Sequence, residues 1–209
     1  MKREEKNLQS RKKILDSALR EFGEKSYSQA SLNIICSAGN ISKGIIYHYF
    51  KDKDELFLCC VKDCFDTLVS YIEKGHFDST DFQSYMQSYL NLRYQFFREN
   101  PYYSNIFFNA VLQPPKHLTL RIKELRKDFD ALNLRCCKNI LNQITLRDGI
   151  TEKEAIEYFS ALEEMFNGYF QSKAYKGADF HALVEDHELK LPKILNIMLY
   201  GIAKEESNE

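Results

Sequence analysis

The chain has 209 residues, 44% of them hydrophobic and 28% charged, with a formal net charge of -1. That is an ordinary globular mixture, long enough for one domain of usual size or a small one joined to a larger one. It argues against a membrane-spanning helix, because no apolar run approaches the ~20 residues that a span requires. The opening MKREEKNLQSRKK lacks the apolar stretch of a secretory signal, so a cytoplasmic location is expected.

Helical signals run through nearly the whole chain and no alternating strand pattern appears. The expected fold is all-α, with about nine helices. A first helix is predicted over about Leu8–Phe22, with Ile14, Leu15, Ala18, Leu19 and Phe22 as its apolar stripe and Gly23 as its stop. Two short helices follow. Leu32, Ile35 and Cys36 form the apolar face of one, and Gly39-Asn40 breaks the chain because both residues tolerate positive φ. Ser42 caps the other, whose inner side carries Ile46, Tyr49 and Phe50. Asp52, with Glu55 three residues on, opens a helix to about Glu73 that Gly75 stops. Thr80 and Gln83 repeat that cap before a helix to about Arg98. Asn100-Pro101 opens a short aromatic helix that Pro114-Pro115 ends. One long helix is predicted over about His117–Thr145. After the turn at Asp148-Gly149, Thr151 and Glu154 cap a helix to about Tyr175, which Lys176-Gly177 breaks. A last helix is expected from Phe180 or Asp186 to Ala203, with Pro192 either kinking it or marking its start. The closing KEESNE reads as a frayed tail.

Two short helices joined by a tight turn make a helix-turn-helix, whose second helix can enter the major groove of DNA. Here Ser42-Lys43-Gly44, Tyr47-His48-Tyr49-Phe50 and Lys53-Asp54-Glu55-Leu56-Phe57 share one compact segment. That segment resembles the DNA-binding signature of the TetR family of bacterial transcriptional regulators. In the family a turn of the type Ala-Gly-Val-Ser-Lys-Gly precedes Tyr-x-x-Phe and Lys-x-x-Leu-Phe blocks, at the same spacing. Gly39-Asn40 stands where the family has Ala-Gly, and Asn is the non-glycine residue best suited to a left-handed turn. The resemblance implies a helix-turn-helix DNA-binding domain over residues 1–51 and a helical ligand-binding and dimerisation domain over residues 52–209. It implies that the Tyr47 hydroxyl and Lys53 grip phosphates. It also implies that Ser31 takes the place of a Thr that caps the second helix and touches the DNA backbone.

The charge distribution agrees with a basic head. Residues 1–53 hold 11 Lys/Arg against 6 Asp/Glu, whereas the remainder carries an excess of six negative charges. Phosphate contacts supply most of the affinity of such a domain. Base reading is expected from the exposed side formed by Ser42, Lys43, Gly44, Ile45 and His48. Lys43 can reach the backbone, Gly44 permits close approach and Ile45 suits a thymine methyl. His48 reads equally well as a plain surface residue, and Tyr49 and Phe50 read as core. Of the N-terminal Arg3, Arg11, Lys12 and Lys13, the last three are assigned a modest phosphate role.

Twelve Phe or Tyr residues lie between Phe77 and Phe129. Most serve packing, yet aromatic-rich helical bodies also enclose apolar cavities with a few polar handles. The resemblance implies such a pocket for a small, partly apolar effector, with Tyr89, Arg93, Tyr94, Asn109 and Asn167 as candidate polar lining. The last two predicted helices carry more apolar positions than one core stripe needs, among them Phe159, Leu162, Phe166, Ile194, Leu195 and Met198. In the family such a pair makes the four-helix interface of a homodimer, and a two-fold dimer implies a palindromic operator in double-stranded DNA.

No catalytic or cofactor motif stands out: there is no P-loop, no GxSxG and no HExxH. His181, Glu185 and His187 do not share one helix face and read as surface residues rather than as a metal site. The six cysteines read as small buried hydrophobes. Cys60 with Cys64, or Cys136 with Cys137, offers the alternative of a redox- or metal-sensing regulator. A helical enzyme or interaction scaffold that borrows the head is the alternative of another class.

Overall fold

The computed structural model describes residues 2–78 and 81–203, with side chains from Asn7 onward. It contains α1 (Lys2–Glu24), α2 (Leu32–Gly39), α3 (Lys43–Tyr49), α4 (Lys53–Glu73) and α5 (Phe82–Glu99). After these come α6 (Pro101–Leu112), α7 (Thr119–Leu125), α8 (Lys127–Leu141), α9 (Glu152–Tyr175) and α10 (Phe180–Ile202), with a 3-10 turn at Lys116–Leu118 before α7. Among the described residues there is no strand, only a single antiparallel bridge between Leu146 and Ala203. The Thr80 cap, the Arg3 side chain and the tail beyond residue 203 lie outside the described residues.

Three elements differ from the sequence reading. The helix expected over His117–Thr145 is two helices, broken at Arg126, which adopts φ -84 and ψ -8 although its N–H still makes the helical bond to the Ile122 carbonyl. That conformation lies at the edge of the helical region, and neither Gly nor Pro marks the break in the sequence. Gly23 does not stop α1, which runs on to Glu24. A Cβ at Gly23 would stand 2.6 Å from the Tyr102 Cβ and 2.7 Å from its Cα, so the missing side chain lets α1 approach α6. Asn105 Nδ2 seals that contact on the Gly23 carbonyl at 2.6 Å. Ahead of α5, Asp81 supplies the cap, accepting from the Ser84 N–H at 2.9 Å. Of the two starts expected for the last helix, α10 takes Phe180, behind its Asp179 cap, and it contains Pro192 rather than starting there.

The chain divides into two compact units, Met1–Leu68 with Phe97–Lys127 and Val69–Phe96 with Asp128–Glu209. In the first, Phe22 meets Phe57 edge-on at 5.0 Å and Tyr27 meets Phe57 at 5.0 Å. A second aromatic group joins Phe65, Phe97, Phe107 and Phe108. Fully burying each such ring contributes about 1.5–3 kcal/mol. In the second unit, Leu183, Leu191 and Leu199 of α10 are buried, as are Phe170 and Ala174 of α9. Thr151 and Glu154 form the expected reciprocal cap of α9. Arg147 closes the C-terminal end of α10, donating from its backbone to the Ile202 carbonyl at 2.9 Å and from Nε to that of Ala203 at 3.0 Å.

Candidate nucleic-acid interface and buried cavity

The helix-turn-helix is built from caps and one left-handed residue. The Ser31 hydroxyl accepts from the Asn33 N–H, opening α2. Ser31 is itself held by Glu21, a buried carboxylate of α1 that accepts from the Ser31 N–H at 2.9 Å and from Lys25 Nζ at 3.0 Å. α2 ends on Asn40, at φ 47 and ψ 53, and the Ile41 N–H closes the turn on the Cys36 carbonyl at 2.9 Å. Gly39 has no room for a side chain, since a Cβ would stand 2.6 Å from Ser17 Oγ of α1. Ser42 then caps α3, its hydroxyl accepting from the Ile45 N–H at 3.3 Å.

Ile46 and Phe50, 1% and 2% exposed, fix the inner side of α3. The outer side follows by elimination: Lys43, Gly44, Ile45, Tyr47 and His48 are all exposed. Tyr49 is half-buried, and its hydroxyl donates to Asn7 Oδ1 of α1 at 3.1 Å. Arg11 of α1 covers Phe50, its guanidinium carbon 5.6 Å from the ring centre. The first turns of α1 thus buttress the back of α3. A Cβ on Gly44 would meet nothing closer than Ser42 Oγ at 3.9 Å, so the backbone there is open to a partner.

Lys53 stands apart from this surface. It is half-buried at the start of α4, with Nζ 4.4 Å from the centre of the Tyr27 ring. Burial pushes its ammonium below the ordinary lysine value, against the opposing charges of Asp54 and Glu21. The Tyr27 hydroxyl donates to Asp54, and His117 Nε2 lies 3.0 Å from the other Asp54 oxygen. The Tyr27 hydrogen bond leads in holding the Asp54 carboxyl below its usual range. Beside it, Asp52 accepts from the Glu55 N–H at 2.8 Å, and Glu55 reaches back to the Lys51 N–H at 2.6 Å.

In the second unit four helices converge on a cavity of about 50 Å³. Met86, Tyr89 and Arg93 face it from α5, and Asn133, Cys136, Cys137 and Ile140 from α8. Phe159 and Glu163 of α9 and Leu191, Leu195, Met198 and Leu199 of α10 complete the wall. Its polar groups are mutually bonded: the Tyr89 hydroxyl donates to Asn133 Oδ1 at 2.5 Å, and Asn133 Nδ2 donates to Glu163 at 3.1 Å. Arg93 Nη2 donates to Glu188 Oε1 at 2.8 Å, and His187 Nδ1 lies 3.0 Å from the same oxygen. Burial would raise the Glu188 carboxyl, but the Arg93 charge and the His187 bond hold it below its ordinary value. The His187 imidazole is pushed down by burial against the opposing Glu188 bond.

Of the five candidate pocket residues, Tyr89 and Arg93 therefore line the cavity. Asn167 lies one step behind, its Oδ1 3.2 Å from His187 Nε2. Tyr94 is 60% exposed, and Asn109 belongs to the first unit, donating to the Asn105 carbonyl. His187 is not the surface residue that its spacing to His181 suggested: it is 2% exposed, between Phe166 at 4.7 Å and Phe170 at 4.9 Å. His181 does lie at the surface, near Glu185. Among the candidate dimer residues, Phe159, Leu195 and Met198 face the cavity, while Leu162, Phe166 and Ile194 are half-buried. The most exposed large apolar groups of α9 and α10 are Met165, at 69%, Leu189, at 68%, and Ile197, at 67%. Tyr158 and Tyr169 extend the α9 stripe through Leu162 and Met165.

Four of the six cysteines are poor reactive centres, while Cys36 and Cys59 are half-buried rather than buried as expected. Cys60, Cys64, Cys136 and Cys137 are buried, and burial pushes all four thiols up, Cys137 to about 12. The thiolate is the nucleophile and metal ligand, so these positions suit packing better than sensing. Among the described residues no group of three or more His, Cys, Asp or Glu side chains could hold a metal ion. Nor is any helix among them long and apolar enough to cross a membrane.

Comparison with known proteins agrees with this geometry at both ends of the chain. Residues 14–60 match the model of bacterial regulatory proteins of the tetR family, and residues 80–204 match that of the tetracyclin repressor-like C-terminal domain. Over 67 residues, 32% of this chain, it is 31% identical to the biofilm operon icaADBC HTH-type negative transcriptional regulator IcaR of Staphylococcus epidermidis. The Staphylococcus aureus IcaR is 38% identical over 60 residues, 29% of this chain. The chain spans about a third of the length of these relatives, 36% and 32% respectively. A tetR-family regulator from Shewanella sp. PV-4 superposes with a TM-score of 0.61 at 12% identity, covering 94% of this chain and 99% of that one. FadR from Bacillus subtilis in complex with stearoyl-CoA gives 0.58 at 15% identity, over 86% of this chain and 96% of that one. At such identities the likeness concerns the fold.

Proposed function

We propose, from the premise that the chain belongs to the tetR family of bacterial regulatory proteins, that it is a DNA-binding transcriptional repressor acting as an effector-responsive homodimer. The observation that carries this reading is the outer side of α3. Lys43, Ile45, Tyr47 and His48 are exposed on a short helix whose caps are already satisfied within the protein, around a Gly44 that leaves the backbone open. Folding accounts for Ile46 and Phe50 but leaves an exposed Ile and Tyr without a task. A major groove supplies one.

In this reading residues 1–51 are the DNA-binding domain and residues 52–209 hold the effector and the dimer contacts. Ser42, Lys43, Gly44, Ile45 and His48 face the bases. Ser31, Tyr47 and Lys53 hold the phosphate backbone; Lys53 does so by leaving the Tyr27 ring or by sharing its charge with a phosphate beside it. The exposed apolar rows of α9 and α10 pair with those of a second copy, which sets two α3 helices on a palindromic operator. An effector in the four-helix cavity shifts the dimer between operator-fitting and misfitting states through its differential affinity for them. The repressor sense is supported by the role of the IcaR proteins, negative regulation of an operon. The function is regulatory rather than catalytic, and a regulator of this kind works in the cytoplasm.

The test is fluorescence anisotropy with duplexes from the protein's own upstream region, over a series of salt concentrations. Lys43→Ala with Tyr47→Ala should weaken binding at least ~10-fold, leave the thermal midpoint nearly unchanged and flatten the salt dependence by about one unit of slope per lost phosphate contact. Wild-type protein that is monomeric, or indifferent to these duplexes at low salt, ends the proposal.

A further inference from the structure

One stretch of the first unit carries a charge that its packing does not explain. Residues 116–127 hold five Lys or Arg against a single acid, Glu124, although residues 54–209 as a whole have an excess of six negative charges. Leu118 and Ile122 are buried and anchor the segment. Lys116, His117, Arg121, Lys123 and Lys127 are exposed, and so is Leu120, at 83%. A run of charge is by itself a solvated face, so its place in the fold decides what it can do.

That place is the start of α4. His117 Nε2 lies 3.0 Å from Asp54 Oδ2, and its ring centre lies 5.8 Å from that of Tyr27. Lys53 Nζ lies 4.4 Å from the same Tyr27 ring centre. The 3-10 turn before α7 therefore adjoins the lysine proposed to hold a phosphate. Arg121 follows His117 by four residues and is near enough for its charge to act on Asp54. The acids at this helix entrance have structural tasks. Asp54 accepts from Tyr27 and faces His117, Asp52 accepts from the Glu55 N–H, and Glu55 accepts from the Lys51 N–H. They also repel a phosphate, and the cations of residues 116–127 offset that repulsion at the same edge.

We propose that Lys116 and Arg121 extend the DNA-binding surface beyond the helix-turn-helix, by contacting backbone phosphates next to the one that Lys53 holds. This deepens the DNA-binding reading and rests on it. Phosphates of one strand recur about every 3.4 Å along the axis, so a strand held at Lys53 carries others past neighbouring cations. Residues 97–127 share one compact unit with α1, α2 and α3, so both surfaces belong to one body. Contacts of this kind add affinity and salt dependence without reading sequence.

The test uses the full chain at pH 7.5 and fluorescence anisotropy over a salt series, with duplexes from the protein's own upstream region and a scrambled duplex of equal length. Lys116→Ala with Arg121→Ala should weaken both duplexes ~5-fold or more at low salt, keep the ratio between them, and reduce the salt slope by about one unit per lost contact. Lys123→Ala with Lys127→Ala removes the same charge, but Lys123 stands nearly opposite Arg121 on α7, and Lys127 is already paired with Glu124 at 2.6 Å. This second pair should stay within ~2-fold of wild type. Thermal midpoints should be nearly equal in all three proteins, since every altered side chain is exposed. Wild-type binding that is undiminished in the Lys116→Ala, Arg121→Ala protein overturns this inference and leaves the regulator reading standing. Equal losses in the two double variants overturn it too, because they would reflect the overall field of the protein rather than local contacts. Vesicles of phosphatidylcholine and phosphatidylserine test the other polyanion that cations around an exposed leucine would suit. Vesicle binding lost in the first double variant, with DNA binding intact, would assign the patch to a lipid surface and overturn the proposal. Wild-type protein indifferent to every duplex ends the regulator reading and this inference with it.

Discussion

The outer side of α3 and the wall of the second unit's cavity handle polar groups in opposite ways. On α3 the caps are satisfied by near neighbours, and the remaining groups face solvent. Around the cavity every polar side chain in the wall is bonded to another across helices, as in Tyr89 to Asn133 and Arg93 to Glu188. The lesson is a separation of costs. Substitutions on the outer side of α3 should change binding and spare folding. Substitutions among the bonded groups of the cavity should cost stability first, because each leaves a buried partner without its bond.

The largest effect is expected where a buried charge is left behind. Arg93→Ala removes the guanidinium from Glu188, and breaking such a pair typically costs about 3–5 kcal/mol. Glu188 is only partly exposed, at 21%, so urea unfolding should show a midpoint far below that of wild type. Arg93→Met together with Glu188→Leu should recover part of the loss, since apolar replacement of a buried pair is often near neutral but His187 Nδ1 also loses its Glu188 partner. A double variant as unstable as the single one would mean that packing or the His187 bond, not the charge pair, is what these positions supply.

The first unit offers a harder version of the comparison, because it too has an interior that DNA does not touch. Gly23→Ala places a methyl 2.6 Å from Tyr102 Cβ and 2.7 Å from its Cα, and a backbone atom cannot yield as a side-chain tip does. α1 and α6 must separate, at about 1–3 kcal/mol. Operator affinity measured well below the unfolding midpoint should stay within ~3-fold of wild type. A much larger loss of affinity would mean that the α1–α6 contact sets the attitude of α3, and the separation of costs would fail for this unit.

How legible each region is follows from how local its determinants are. Ser31, Gly39, Asn40 and Ser42 act on atoms within a few residues of themselves, so the turn and both caps could be read from order alone. The cavity has no such property. Asn133 joins Tyr89 from 44 residues away and Glu163 from 30, and no local pattern announces either bond. Part of the signal was nonetheless present. Met86, Tyr89 and Arg93 keep a helical spacing that Tyr94 breaks, which separates the lining residues from the exposed one. Leu183, His187 and Leu191 form an i, i+4, i+8 row, which marks His187 as interior more clearly than its spacing to His181 marks it as surface. Glu21 was betrayed only by a Lys25 one turn away, a pattern equally common on solvated faces. The role of Gly23 depends on its packing against Tyr102, and neither it nor the break at Arg126 left a trace in the local sequence.

A smaller effect tests the buried network by pH. Burial, helped by the Arg93 charge, holds the folded-state imidazole of His187 below its unfolded value near 6.5, against the opposing pull of Glu188 and Asp186. The unfolded chain therefore binds the proton first. Stability should be full above about pH 6.5 and fall as the pH drops through that value towards the folded one, by at most about 1.4 kcal/mol per pH unit. Glu188 is held low and contributes only nearer pH 4, below this window. Urea unfolding at pH 7.5, 6.5 and 5.5 should show a shallower decline in His187→Gln than in wild type, and parallel declines would assign the slope to other groups.

The smallest expected change in stability is also the sharpest probe of the comparison, because it should have the opposite sign to the change in binding. Gly44 lies in the first turn of α3, its φ is not positive, and an added methyl meets nothing within 3.9 Å. Ala is the better helix former by up to about 1 kcal/mol in a helix interior and by less at a terminus. Gly44→Ala should therefore raise the thermal midpoint slightly or leave it unchanged. The same methyl stands on the side that a groove would approach, so operator affinity should drop several-fold. Stability and affinity moving apart at one carbon atom would show that this position is kept open for a partner. Affinity that rises with stability would mean that α3 meets DNA on another side, and that the exposure of Ile45 and Tyr47 needs a different explanation.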